Sequence, residues 1–170
     1  MVDAPLRSGR SRAVLVTAAL LVVVGSAAGA SRAGPVTKCT ALQTRSALTS
    51  FVTAFNAGNS RRLNALFGPP SWFRWYSSSA PGERFDPEAG RRNTLIAYFR
   101  ARHEQRDRFR LVSFKFNGNS LGYGNFVWQV KRSADDFRNG AWFQVDAKGA
   151  ALCEGGSAKF IVMSIGAPES

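Results

Sequence analysis

At 170 residues the chain is long enough for one domain with a proper core and too short for two once a leader is set aside. Its 23 Lys and Arg against 11 Asp and Glu give a formal charge of +12, which ordinarily raises nucleic acid as a partner, but the leader argues against that. Four Trp and 13 Phe can fill a core or line a pocket, while two Cys and a single His offer no metal-like spacing and imply no cofactor.

Residues 1–30 read as a secretory signal peptide: Arg7, Arg10 and Arg12 form a basic start, Ala13 to Val24 an apolar stretch, and Ala28-Gly29-Ala30 a small-residue cleavage site. The apolar stretch is short for a membrane span, so cleavage near Ala30 and a secreted or extracytoplasmic product are expected; the alternative is an uncleaved amino-terminal anchor. Removing these residues leaves 20 basic against 10 acidic residues, a basic protein suited to the proximity of anionic headgroups or cell-wall polymers. Residues 31–39 are a linker containing Gly34-Pro35, and the folded domain spans 40–166.

Thr40 and Gln43 match a capping box, and Leu48, Phe51, Val52 and Phe55 follow on one face of a first helix that Gly58 ends. Asn59 or Ser60 caps a short second helix carrying Leu63, Leu66 and Phe67, closed by Gly68-Pro69-Pro70. Trp72-Phe73-Arg74-Trp75-Tyr76 is the densest aromatic cluster, able to stack on a ligand or to plug the mouth of a sheet, and a loop or short hairpin tip follows it. Asp86-Pro87-Glu88 opens a third helix, with Leu95, Ile96, Phe99 and His103 along its inner side and Arg91, Arg92, Arg100 and Arg106 around the remainder.

Any imidazole chemistry must use His103, and Asp107, one turn on, could orient its ring as half of a general-base arrangement. The competing reading is a partly buried histidine near a helix carboxyl end. Asp107 and Glu104 are expected on an exposed helix end, Asp135 and Asp136 in a loop, and Asp146 outward if Val145 points in; no buried acid pair is assigned.

From Phe109 the pattern changes to strands. Phe109–Phe116, with a turn over Asn117-Gly118-Asn119-Ser120, is followed by Gly124–Arg132, where Phe126, Trp128 and Val130 alternate with Asn125, Gln129 and Lys131. Ala141–Cys153 alternates Phe143, Val145 and Ala147 with polar residues and carries a bulge signal at Gly149; Lys159–Ile165 completes the series. Helices upstream of four successive strands imply an α+β fold, an antiparallel sheet covered on one face by amino-terminal helices. In an exported chain the even cysteine count favours a Cys39–Cys153 disulfide, with two separate thiols as the alternative.

Phe51-Val-Thr-Ala-Phe-Asn-Ala-Gly-Asn59, then Leu63-Asn-Ala-Leu-Phe67, then a helix with Tyr98-Phe99 and four strands, resembles the nuclear-transport-factor-2-like superfamily, which includes SnoaL-like polyketide cyclases and ketosteroid isomerase. The resemblance covers about residues 41–165 and implies a cystatin-like cone, a strongly curved sheet wrapped around a long helix with a pocket at the open end. The isomerase's Asp base and Tyr/Asp oxyanion pair match no position here, and His103 is only a hint of the His/Asp sets of dehydratases and cyclases. Phe55, Trp72, Trp75, Phe99, Phe126, Trp128 and Phe143, with His103, are the expected pocket lining. Three functions are compatible: a non-catalytic domain holding a small apolar or amphipathic ligand or a partner; an enzyme using His103 on a carbonyl substrate; and a structural module that forms a homodimer.

Overall fold

The computed structural model describes residues 36–69, 74–77, 91–136 and 138–166. The chain divides into two compact units, Met1–Ser31 and Arg32–Ser170, and the architecture below is that of the second. The expected signal peptide, Trp72 and the Asp86-Pro87-Glu88 helix start lie outside the described residues.

A two-residue strand, β1 (Val36–Thr37), leads into α1 (Ala41–Asn56), α2 (Ser60–Leu66), β2 (Arg74–Ser77) and α3 (Arg92–Glu104). Four long strands follow: β3 (Arg108–Ser120), β4 (Tyr123–Ser133), β5 (Phe143–Glu154) and β6 (Ser157–Ile165). The sheet runs β2-β6-β5-β4-β3, with β1 paired to β5; β2 lies parallel to β6 and the other pairings between these strands are antiparallel. This is the expected α+β arrangement, a curved, unclosed sheet against helices. Two strands were not legible in advance: Val36–Thr37, expected in a linker, and Arg74–Ser77, expected in an aromatic plug.

α1 starts where its cap dictates. The Thr40 hydroxyl accepts from the Gln43 amide, and the Gln43 side chain accepts in turn from the Thr40 amide at 2.9 Å. Thr44, Ala47, Leu48, Phe51, Ala54 and Phe55 then form the buried stripe. At the far end Asn56 docks the helix on β3, donating to the Phe109 carbonyl and accepting from the Phe109 amide, both at 2.8 Å.

The turn expected at residues 117–120 sits instead at Leu121-Gly122. A register shift between Phe116 and Gly118 absorbs an irregularity and lets β3 continue, and Asn119 is held within it by paired bonds to the Cys39 backbone at 2.9 Å each. The irregularity expected at Gly149 falls one residue later, between Ala150 and Ala151. Gly149 has a different reason to be glycine: a Cβ there would collide with Phe126 Cζ and lie 2.8 Å from the Val162 carbonyl oxygen. Because that carbonyl belongs to a paired strand, Gly149→Ala is expected to destabilise the domain by about 1–3 kcal/mol, read as a lower denaturant midpoint.

Cys39 and Cys153 form a disulfide, with Cα atoms 5.2 Å apart, that ties the segment before α1 to β5. It suggests an oxidising, extracytoplasmic environment. No helix among the described residues is long and apolar enough to cross a membrane.

Candidate functional site

The inward-facing side chains expected to line a hollow fill it. Phe55, Trp75, Phe99, Phe126, Trp128 and Phe143 are all buried and belong to one core. Phe51 sits at its centre, with ring centroids 5.6 Å from Trp75, 5.9 Å from Phe99 and 6.4 Å from Trp128. Phe55 stacks on Phe109 at 4.2 Å. The sequence pattern places these residues on the inner face correctly; it does not reveal that opposing rings meet across the cone, because ring-to-ring distance depends on how tightly the sheet closes. Among the described residues, three buried side-chain polar atoms have no hydrogen-bond partner: Trp75 Nε1, Trp128 Nε1 and the Tyr98 hydroxyl.

His103 and Asp107 do not form a dyad. Arg108 Nη1 lies 3.3 Å from His103 Nδ1, and since a guanidinium can only donate, that nitrogen accepts. The other side of the ring covers Gly58, where a Cβ would come within 2.6 Å of it. Asp107, expected on an exposed helix end, is fully buried, and its carboxylate is bound by Arg102 Nε at 2.7 Å and Arg132 Nη2 at 2.7 Å. Arg102 also grips Asp136 through both terminal nitrogens, at 2.6 and 2.8 Å. The physical reason is charge: Arg132 on β4 points inward at 1% exposure and requires a counter-ion, which takes Asp107 away from the imidazole.

Burial works against the charge of Arg102, but its bonds to Asp136 and Asp107 outweigh that and hold it protonated. The hydrogen bond from Arg102 likewise holds the Asp136 carboxyl below the usual carboxylate range. With the folded value depressed, this contribution to stability is complete above the unfolded carboxyl range and fades as pH falls through the folded value. Asp136→Asn is expected to flatten that part of the acid limb in melting temperatures measured from about pH 5 to about pH 2.

A concave feature lies on the opposite face of the sheet, as an open groove of about 590 Å³. Two cross-strand rows build it. One runs Lys115, Val127, Lys148, Ser164, and the other Ser113, Gln129, Asp146, with Gly166 donating to the Asp146 carbonyl at its end. Trp128 and Ala147, buried on the inner side, complete the lining. Gln129 is fixed in the middle, accepting from Ser113 Oγ and donating to Asp146 Oδ1, each at 3.1 Å. Strand spacing puts Lys115 and Lys148 about 10 Å apart across Val127. Sequence reasoning placed Gln129 and Asp146 on the outward register but missed the site. Its available signal was Val127, an apolar residue where the alternation calls for a polar one.

No protein-family model matches the chain. No curated protein matches it either. Solved structures do. A cystatin-like-fold protein of unknown function from Nostoc punctiforme aligns with TM-score 0.57 at 14% identity, over 76% of this chain and 93% of that one. A candidate dehydratase of the nuclear-transport-factor-2-like family from Streptomyces avermitilis aligns with TM-score 0.55 at 12% identity, over 76% and 95%. A candidate calcium/calmodulin-dependent protein kinase II association domain from Xanthomonas campestris gives TM-score 0.55 at 14% identity, over 76% and 88%. The chain has the nuclear-transport-factor-2-like, cystatin-like fold.

Proposed function

We propose that this is an exported, non-catalytic binding domain whose ligand is a small amphipathic anion held in the groove on the outer face of the sheet. The observation that carries this reading is the row Lys115–Val127–Lys148: an apolar centre flanked by two cations suits a molecule with a hydrophobic body and an acidic group. The fold is shared with proteins described as a candidate association domain and a candidate dehydratase and does not choose between such functions. What weighs against acid/base catalysis is local, since His103 faces an arginine and its expected carboxylate is engaged elsewhere.

The anionic dye 1-anilinonaphthalene-8-sulfonate is a suitable probe. It should bind the folded protein with enhanced fluorescence, and Lys115→Glu with Lys148→Glu should weaken binding about tenfold or more. Val127→Trp, which fills the groove, should abolish it. Unchanged titrations in both variants would rule the groove out.

A second reading is favoured by the buried indole nitrogens of Trp75 and Trp128, which have no partner among the described residues. A ligand carrying a carbonyl or ether oxygen would satisfy one of them if the core parted to admit it. Phe51→Ala, which opens space between the two indoles, should increase uptake of a neutral apolar ketone on this reading and leave it undetectable on the first.

A further inference from the structure

Beyond the groove, the outer face of the sheet carries a row in which Arg110 on β3, Lys131 on β4 and Gln144 on β5 stand directly across from one another. All three are exposed and none lines the groove. Arg110 and Lys131 are opposed like charges with Cα atoms about 5 Å apart, and the third member of the row is neutral. Neither cation forms an ion pair or donates a hydrogen bond among the described residues. Asp146, the acid in the adjacent row, accepts from Gln129 instead. Like charges directly opposite each other are unfavourable in the free domain, and an anion laid over them relieves that.

Apolar side chains border the row. Trp142, just before β5, is 39% exposed and carries the Arg110 guanidinium 4.1 Å from its ring centroid. The ring holds that side chain in place while its N–H groups stay available to a carboxylate. Two residues on from Arg110, Val112 falls in the register shift between Leu111 and Ser113, outside the strand pairing, and is 47% exposed.

These features select the occupant. A second copy set against the patch by a two-fold axis would bring positive charge against positive charge. A strand surface with its cations in the middle lacks the continuous apolar face that enters a bilayer. A polypeptide with carboxylates beside apolar side chains complements both the charge and the exposed apolar area. We propose that the patch formed by Arg110, Lys131, Val112 and Trp142 docks an acidic, apolar-containing segment of a partner protein, with carboxylates on the two cations and apolar side chains against Val112 and the open part of the Trp142 ring.

The test titrates the full chain, at physiological ionic strength, with a random copolymer of glutamate and tyrosine, with poly-glutamate and with phosphatidylglycerol vesicles. The copolymer should bind, and poly-glutamate should bind at least tenfold more weakly. Arg110→Glu and Lys131→Glu should each weaken copolymer binding about tenfold without lowering the denaturant midpoint, since each turns opposed like charges into an attractive pair. Val112→Ser with Trp142→Ala should reduce the copolymer to the level of poly-glutamate. Arg61→Glu with Arg100→Glu, exposed on α2 and α3, should leave its binding within twofold. Failure of the copolymer to bind would overturn the assignment, as would equal losses from the helical charge reversals, which would show a response to net charge alone. So would vesicles bound more tightly than the copolymer and released by the same variants, or a dimer in sedimentation equilibrium that Val112→Ser with Trp142→Ala dissolves.

Discussion

Asp107→Asn is expected to cost about 3–5 kcal/mol of folding stability, the largest effect of any single polar substitution in this domain. The substitution keeps the shape of the side chain and removes its charge. Arg132, with a side chain only 1% exposed, then loses the carboxylate that its Nη2 contacts at 2.7 Å, and Arg102 loses one of the two acidic partners it has among the described residues. The Arg132 side chain is held in place, with the guanidinium 5.4 Å over the Phe109 ring. Coupled to Arg102 and Asp136, the network joins the end of α3 to β4 and the loop beyond it. The comparison that isolates the effect is Asp135→Asn, which breaks the exposed Arg106–Asp135 pair, also 2.7 Å long, and should leave the denaturant midpoint unchanged. Similar midpoints for the two variants would show that burial of the network does not matter.

Removing the disulfide is expected to be comparably severe. Cys39 and Cys153 are 114 residues apart in sequence, and closing a loop of that length restricts the unfolded chain by about 4–5 kcal/mol in the chain-entropy model. The bridge is also locally integrated: the Cys39 backbone amide donates to Asn119 Oδ1 and its carbonyl accepts from Asn119 Nδ2, and a Cβ at Gly124 would lie 2.5 Å from the Cys39 Cβ. The Cys39→Ala, Cys153→Ala double variant should therefore unfold at much lower denaturant and lose the docking of β1 on β5 first, measurable by amide hydrogen exchange. A double variant within about 1 kcal/mol of the parent would show that the bridge is incidental to the fold.

Much of the fold could be read in advance because it rests on short-range signals. The capping box at Thr40, the stop at Gly58, the four carboxyl-terminal strands and the inner-face identities of Phe126, Trp128, Phe143 and Val145 all follow from periodicity and local chemistry. What escaped depends on long-range partners. β2 is a strand because β6 offers it a parallel edge, and Arg74–Ser77 alone gives no alternation long enough to announce that. Asp107 looked exposed because its countercharge, Arg132, is 25 residues away on a strand whose inward positions were expected to be apolar. The inner hollow was inferred from a resemblance to cone-shaped domains, yet whether such a cone is open or full is decided by the sizes of Phe51, Phe55 and Trp75 meeting in three dimensions. The outer groove depends on strand register, and two of its three central residues are ordinary outward lysines.

The central claim is that ligand meets the outside of a filled cone. Nitrogen–proton correlation spectra recorded while titrating the protein with 1-anilinonaphthalene-8-sulfonate test it most directly. Backbone signals of Lys115, Val127, Gln129, Lys148 and Ser164 should move while the indole signals of Trp75 and Trp128 stay in place. Movement of those two indole signals with the outer strand positions unchanged would contradict it.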